Sequence, residues 1–251
     1  MIKLFRKIRY NLMETGKTSR YFKYAIGEII LVVIGILIAL QINNWNEERK
    51  ETINQNNLFN NLKIDFNARL IELEELQDAK NDGVMATHDL NLMINKKQLD
   101  EPQKIYDLLA RTFNGFLFNE QFKMLDVLFY TGTINNIKNE RLKRLLVEWP
   151  QNVEEMLEEQ RIYNNSYPEY VKLIGNYVPL RSVNENFKFR GYELPKGQPV
   201  TQNADFDSLF SNHEFENILA ERELLTHIMI IDNKVLIKSA KEIIELLESE
   251  Y

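Results

Sequence analysis

One apolar stretch near the N-terminus decides the fold, and it reads Tyr24-Ala-Ile-Gly-Glu-Ile-Ile-Leu-Val-Val-Ile-Gly-Ile-Leu-Ile-Ala-Leu-Gln-Ile-Asn-Asn-Trp45. As a helix it spans about 33 Å at 1.5 Å per residue, which matches the apolar core of a bilayer. The Ile, Leu and Val side chains between Ile29 and Leu40 favour insertion by roughly 3–6 kcal/mol, whereas Glu28 costs about 2.5–3.5 kcal/mol at most. The stretch therefore predicts a transmembrane helix over residues 24–45, with Trp45 as an interfacial anchor.

Basic and acidic residues lie on opposite sides of this stretch. Residues 1–23 carry seven basic side chains and one acid, for a net charge of +6, whereas residues 46–251 carry a net charge of −11. Basic segments beside a membrane helix stay in the cytoplasm. We therefore expect a cytoplasmic N-terminus and an acidic C-terminal domain outside the membrane. Residues 2–13 fit either a short basic amphipathic helix or a segment without fixed structure.

A cleaved secretory signal is the alternative explanation of the apolar stretch. Its uncharged core, Ile29 to Ile42, has about the length of a long signal sequence. However, Ala39 is followed by Leu40 and Gln41, so no pair of small residues marks a cleavage site. We therefore expect an uncleaved anchor.

Four residues of the stretch are candidates for a role in the membrane or in assembly. Glu28 either snorkels to the headgroups near Lys23, pairs with a basic group on another subunit, or serves ion movement. Gly35 and Ala39 are four residues apart, a spacing that lets two membrane helices approach closely. The fourth candidate is Trp45, which is expected to anchor the helix at the membrane–water interface.

Two sequence segments resemble a known family. The closer match is Phe5-Arg-Lys-Ile-Arg together with Tyr21-Phe-Lys-Tyr-Ala-Ile-Gly-Glu and the apolar residues that follow; the looser match is Leu128-Phe-Tyr-Thr-Gly-Thr-Ile-Asn-Asn-Ile-Lys-Asn-Glu-Arg-Leu. Both resemble a family of uncharacterised single-pass membrane proteins abundant in flavobacteria and other Bacteroidota, which is catalogued as a domain of unknown function. The resemblance implies a Gram-negative inner membrane and a mostly helical body exported to the periplasm. It implies no activity and no site residues.

Residues 46–251 are predicted to form helices, because their apolar residues recur every three or four positions. The membrane helix is expected to continue as a stalk until Gly83. The further predicted helices are Val84–Leu99, Pro102 to about Phe113, a helix between a cap at Asn119 and Gly132, Asn139–Tyr163 with a kink or break at Pro150, and a last long helix after Asn212. The fold class is therefore all-α, a single N-terminal transmembrane helix followed by an antiparallel helical bundle.

An irregular loop is predicted over residues 175–206, because six of the fifteen Gly and Pro residues fall within 175–199. A short ribbon is conceivable within it, over Phe187–Tyr192. Tyrosines cluster around this loop, and tyrosine is favoured at protein interfaces. We expect either a contact surface or core packing beneath the loop from Tyr163, Tyr167, Tyr170, Tyr177 and Tyr192.

The residues of the chain favour no catalytic, metal or cofactor site. There is no cysteine, and the three histidines, His88, His213 and His227, share no ligand spacing. Phosphate loops, dinucleotide fingerprints and nucleophile elbows are missing from the sequence. The acidic run Glu154–Glu159 is typical of a solvated helix face. We therefore expect no catalysis, no cofactor and no nucleic acid, and the sequence identifies no small-molecule ligand.

Together these observations favour a membrane-anchored periplasmic module that binds protein. Its partners are expected to be the lipid bilayer and either further copies of itself or other envelope proteins, in which case it is an accessory subunit. The first alternative is a ligand-sensing helical bundle, although 23 cytoplasmic residues leave no room for a signalling domain. The second alternative is an enzyme whose site the sequence does not reveal.

Overall fold

The computed structural model describes residues 18–113, 115–118, 121–189, 192–193, 195 and 203–250. Two predictions lie outside these residues: the amphipathic helix over residues 2–13 and the capping role of Asn119. The chain divides into two compact units, with the boundary after Asn57. The predicted domain limits at residues 23 and 45 stay predictions.

The described chain is helical apart from one short ribbon, which confirms the all-α fold class. The ribbon pairs Lys188 with Glu193 and Phe189 with Tyr192 in antiparallel register. The elements are α1 (Thr18–Lys96), α2 (Pro102–Thr112), α3 (Lys123–Tyr130), a 3₁₀ helix (Thr133–Asn136), α4 (Glu140–Asn165), α5 (Tyr167–Gly175), α6 (Leu180–Asn184), β1 (Lys188–Phe189), β2 (Tyr192–Glu193), α7 (Phe206–Phe210) and α8 (His213–Glu250).

Helix α1 carries the apolar stretch and is long and apolar enough to cross a membrane. Every residue from Ile29 to Trp45 is exposed. In its most hydrophobic window no residue is buried against the rest of the described chain. The stretch therefore does not form the core of the described fold.

The predicted break at Gly83 is wrong, because α1 continues through it to Lys96. Glycine within a helix costs only about 1 kcal/mol relative to alanine. Leu73 and Leu90, on either side of Gly83, are fully buried, so tertiary packing holds both flanking segments helical. The helix ends instead at Lys97, whose left-handed φ of 53° lets the Gln98 amide donate to the Met93 carbonyl at 3.0 Å.

Pro150 does not break α4 either, since the helix runs from Glu140 to Asn165. The N-terminus of α4 is secured by Asn139, whose side-chain oxygen accepts hydrogen bonds from the amides of Arg141 and Leu142 at 2.9 Å. Proline removes one hydrogen bond inside a helix, at a cost of about 3 kcal/mol. The buried neighbours of Pro150, above all Trp149, offset this loss by packing into the core.

Two larger hydrophobic clusters and one small cluster form the core of the second unit. The first cluster joins the middle of α1, α3, the first half of α4 and the C-terminal half of α8. The second joins the end of α1, α2, α5, α6, α7 and the start of α8. Between them along α8 lies the small cluster, in which Leu225 and Met229 pack with Phe116 and Tyr163. Helices α1, α4 and α8 thus position the side chains described next.

Candidate functional site

The four predicted membrane and assembly residues all lie on α1. Gly35, Ala39 and Trp45 are exposed, and Glu28 is half-buried. A Cβ atom placed on Gly35 would meet no heavy atom within 4 Å, so this side of α1 is open. Their roles in assembly stay predictions.

The structure separates the predicted tyrosines into two groups. Tyr163 and Tyr170 are 4% and 0% exposed, so the prediction that they line a contact surface is wrong for these two. Tyr167 is exposed and Tyr177 is half-buried. Tyr192 lies in β2, and its side chain is outside the described part of the structure. Tyr163 and Tyr170 instead pack in the core, which is the alternative that the sequence left open for these tyrosines.

The two buried tyrosines enclose Arg222 of α8, a residue that the sequence analysis missed. The guanidinium carbon lies 3.8 Å from the ring centre of Tyr163 and 4.8 Å from that of Tyr170. Its nitrogens donate to the Tyr163 carbonyl at 3.1 Å, to Ser166 Oγ at 2.9 Å and to the Thr112 carbonyl at 3.3 Å. Arg222 itself is 3% exposed.

Two helix ends supply the negative charge that a buried guanidinium needs. Thr112 is the last residue of α2, and Tyr163 lies in the last turn of α4. Each helix C-terminus carries a partial charge of about −0.5. Among the described residues no carboxylate lies within ion-pairing distance of Arg222, so the two helix ends and the two aromatic faces take that role.

Burial and Arg222 act in opposite directions on the tyrosine hydroxyls. Burial raises the pKa of Tyr163 and of Tyr170, and the positive charge of Arg222 lowers both in part. The Tyr170 hydroxyl also shares a 2.8 Å hydrogen bond with Thr112 Oγ1. Both phenols therefore stay neutral at physiological pH, and they act as packing surfaces rather than as bases.

The cleft beside Arg222 is too small for a metabolite. Its volume is about 10 Å³, and its lining includes Thr87, Thr112, Tyr163 and Thr226. That is room for about one water molecule. The Nε atom of Arg222 is buried without a protein partner among the described residues. The arrangement suits a structural tie between helix ends and not a ligand-binding cavity.

A second buried cation, Lys80 of α1, lies in the same region of the bundle. Its side chain is fully buried, with Nζ 3.9 Å from Met156 Sδ and 5.8 Å from the centre of the Phe116 ring. Burial lowers the pKa of Lys80 to about 8, and the nearby carboxylate of Asp232 offsets part of that effect.

The sequence did contain a signal for both cations. Lys80 follows Phe66 and Leu73 at intervals of seven residues, and Arg222 lies midway between Phe215 and Met229 at the same interval. Positions that recur every seven residues share one face of a helix. A charged residue in such an apolar row is predicted to be buried.

Helix α8 also carries an exposed apolar row, which we call the α8 stripe: Leu224, Ile228, Ile231 and Val235. Leu224 and Ile231 are 61% and 62% exposed, Val235 is 47% exposed, and Ile228 is half-buried. Their spacing of four, three and four residues places them along one face of the helix. Soluble surfaces seldom keep such a row uncovered, so the α8 stripe is the candidate contact surface.

Metal binding has no structural support in the described part of the chain. Its Asp, Glu and His side chains nowhere form a group of three that could hold an ion. His88, His213 and His227 are all exposed and lie apart along the chain.

Part of the chain matches a family model. Residues 28–118 match a family described as a family of unknown function, DUF6090. The matched segment begins within α1 and includes α2. No curated protein and no solved structure matches the chain. Since the match covers less than half of the chain, it supports an uncharacterised domain family for this segment and assigns no activity.

Proposed function

We propose that the chain is a single-pass inner-membrane protein whose N-terminus is cytoplasmic and whose periplasmic helical domain binds other protein. The bound protein is either a second copy or an envelope complex in which this chain is an accessory subunit. The observation that carries the proposal is the exposed apolar stretch of α1, between a basic segment and an acidic domain.

The exposure of the apolar stretch supports insertion into a membrane. The Ile, Leu and Val side chains from Ile29 to Leu40 are each between 47% and 63% exposed. Leaving such a surface in water costs on the order of 10 kcal/mol, at about 2 kcal/mol for each fully buried aliphatic side chain. A bilayer removes that cost. The charge asymmetry then favours a cytoplasmic N-terminus.

The α8 stripe supports the binding of protein. Amphipathic helices are recognised through apolar residues at intervals of three and four, which is the spacing of Leu224, Ile228, Ile231 and Val235. A ligand-sensing bundle stays the alternative, and the cleft at Arg222, which has room for about one water molecule, is too small to be its binding site.

Cysteine labelling tests the topology, because the natural chain has no cysteine. Lys3→Cys and Ser249→Cys place one thiol near each end of the chain. A membrane-impermeant maleimide is expected to label Ser249→Cys in spheroplasts and Lys3→Cys only after lysis. Labelling of Lys3→Cys in intact spheroplasts, or a mature protein that has lost its N-terminal residues, would overturn the proposed anchor.

Purification in a mild detergent, with and without crosslinking, tests the binding of protein. One assembly of fixed stoichiometry is expected. A monomer without partners, both in native membranes and after extraction, would contradict the proposed role.

A further inference from the structure

We propose that one water molecule is bound in the cleft beside Arg222 and links Thr87 of α1 to this arginine. The cleft lies inside the helical domain, so the inference goes beyond the protein-binding role and does not depend on it. Four helices contribute to its walls, with Thr87 from α1, Thr112 from α2, Tyr163 from α4 and Arg222 from α8.

Arg222 supplies the hydrogen-bond donor of the site. Its Nε atom is buried and has no hydrogen-bond partner among the described residues. In an arginine side chain Nε and Nη2 lie along the same edge of the guanidinium group, and in Arg111 both atoms donate to Asp82 in this way. Nη2 of Arg222 donates to Thr112, which lines the cleft. The same edge therefore turns the Nε–H group towards the cleft.

The threonine hydroxyls of the cleft can accept a hydrogen bond but not donate one. Thr87 Oγ1 donates its proton to the Gly83 carbonyl at 3.0 Å, and Thr226 Oγ1 donates to the Arg222 carbonyl at 2.7 Å. A hydroxyl carries only one proton, so each oxygen keeps lone pairs for a further donor. Since the Tyr163 hydroxyl also forms a hydrogen bond with Thr226, Thr87 is the more open acceptor.

These groups suit a water molecule better than an anion. Water accepts from the Nε–H group and donates to Thr87 Oγ1, so it satisfies both buried groups at once. A chloride ion only accepts, and it would face the threonine lone pairs together with Glu223, an acidic residue that also lines the cleft. The volume of about 10 Å³ likewise corresponds to one water molecule.

The bound water gives α1 a polar link to Arg222. The direct hydrogen bonds from this side chain to described residues end on Thr112, Tyr163 and Ser166, all of which lie outside α1. With the water in place, Thr87 joins them, and α1 is held at the same point as α2, α4 and α8. Buried waters of this kind are costly to remove, because the groups that they pair would be left unsatisfied.

A double-mutant cycle in the full chain tests this link. Thr87→Val removes the acceptor and keeps the shape of the side chain, whereas Arg222→Leu removes the donor. We expect Thr87→Val to raise the equilibrium constant of unfolding about tenfold in the natural chain and less than about twofold in the Arg222→Leu background, by denaturant unfolding in detergent. Equal effects in the two backgrounds would show that Thr87 acts independently of Arg222 and would overturn the proposal.

Two control variants separate the water from the other roles of Thr87. Thr87→Ser keeps the hydroxyl, so the loss of its buried methyl group should have the same effect in both backgrounds. Thr52→Val removes the same type of bond within α1, from Thr52 Oγ1 to the Glu48 carbonyl at 2.8 Å, but at an exposed position. It should change the equilibrium constant less than about twofold in either background.

A crystal structure of the full chain at high resolution tests the site without any substitution. We expect one density peak within about 3.2 Å of both Arg222 Nε and Thr87 Oγ1, with no anomalous signal there in crystals grown with bromide. A cleft without density would overturn the proposal. A bromide peak would also overturn it, because the site would then bind an anion instead of water.

Discussion

Replacing Lys80 with methionine should stabilise the helical domain. The side chain of Lys80 is fully buried, and its Nζ atom lies 3.9 Å from the sulfur of Met156 and 5.8 Å from the centre of the Phe116 ring. Neither contact replaces the water that a charged amine loses on burial. Methionine has a similar length and shape, and its thioether suits a pocket lined by sulfur and an aromatic ring.

The expected gain follows from the pKa of Lys80. Burial lowers this pKa from 10.5 to about 8, and a difference of one in pKa corresponds to about 1.4 kcal/mol. Folding at pH 7 therefore carries a penalty of roughly 3 kcal/mol for the charged form. Lys80→Met should raise the free energy of unfolding by up to that amount.

The lowered pKa also predicts how the gain depends on pH. Below pH 8 the amine is protonated in both the folded and the unfolded chain, so the penalty is fully present. Between pH 8 and about 10.5 the unfolded chain binds a proton that the folded chain has released, so stability rises with pH. The natural chain should therefore approach the stability of Lys80→Met as the pH rises to 10.5.

Denaturant unfolding in detergent, followed by the fluorescence of the buried Trp149, measures both effects. The difference between the natural chain and Lys80→Met isolates Lys80 from other groups that titrate at high pH. Lys172→Met, outside the hydrophobic clusters, is the control and should change stability by less than about 0.5 kcal/mol. A difference that does not vary with pH, or a Lys80→Met variant less stable at pH 7, would refute the reasoning.

Two further predictions concern Arg222 and Gly132. Arg222→Leu should lower the free energy of unfolding by about 2–3 kcal/mol, because the carbonyl of Thr112 loses its charged donor. Arg222→Lys should restore little of this stability, since one ammonium group cannot reach both helix ends. Denaturant titration measures both changes. Gly132→Ala should cost about 1 kcal/mol by the same titration, because Gly132 has a left-handed φ of 70°, whereas Gly35→Ala should leave the stability of the helical domain unchanged.

The sequence predicted those features that local signals determine. Asn139 and Asn212 were expected at the starts of helices, and both side chains accept hydrogen bonds from the first amides of α4 and α8. Gly132 was expected at the end of a helix and has the left-handed backbone that glycine allows. The conceivable ribbon within Phe187–Tyr192 is present as β1 and β2.

The failures have one physical cause, which is packing between distant segments. Gly83 and Pro150 are weak helix formers, but buried neighbours on both sides keep α1 and α4 continuous. Tyr163 and Tyr170 were candidates for a surface because nothing in their own segment indicates that Arg222, from a helix much later in the chain, lies between their rings. The buried cations were missed because a charged side chain in an apolar row looks like an interruption of that row.

Helix α8 also determines when this domain can fold during synthesis. It contributes Phe215 and Leu219 to one cluster, Leu225 and Met229 to another, and Leu236 to the third. Helix α8 is synthesised after all the other described elements. Until it has left the ribosome, each of the three clusters lacks the side chains that α8 contributes. Before that point, the preceding residues cannot complete the packing of any of the three clusters. A core that is completed only by the last described helix is compatible with the export proposed above, because late packing leaves time for the chain to cross the membrane before it folds.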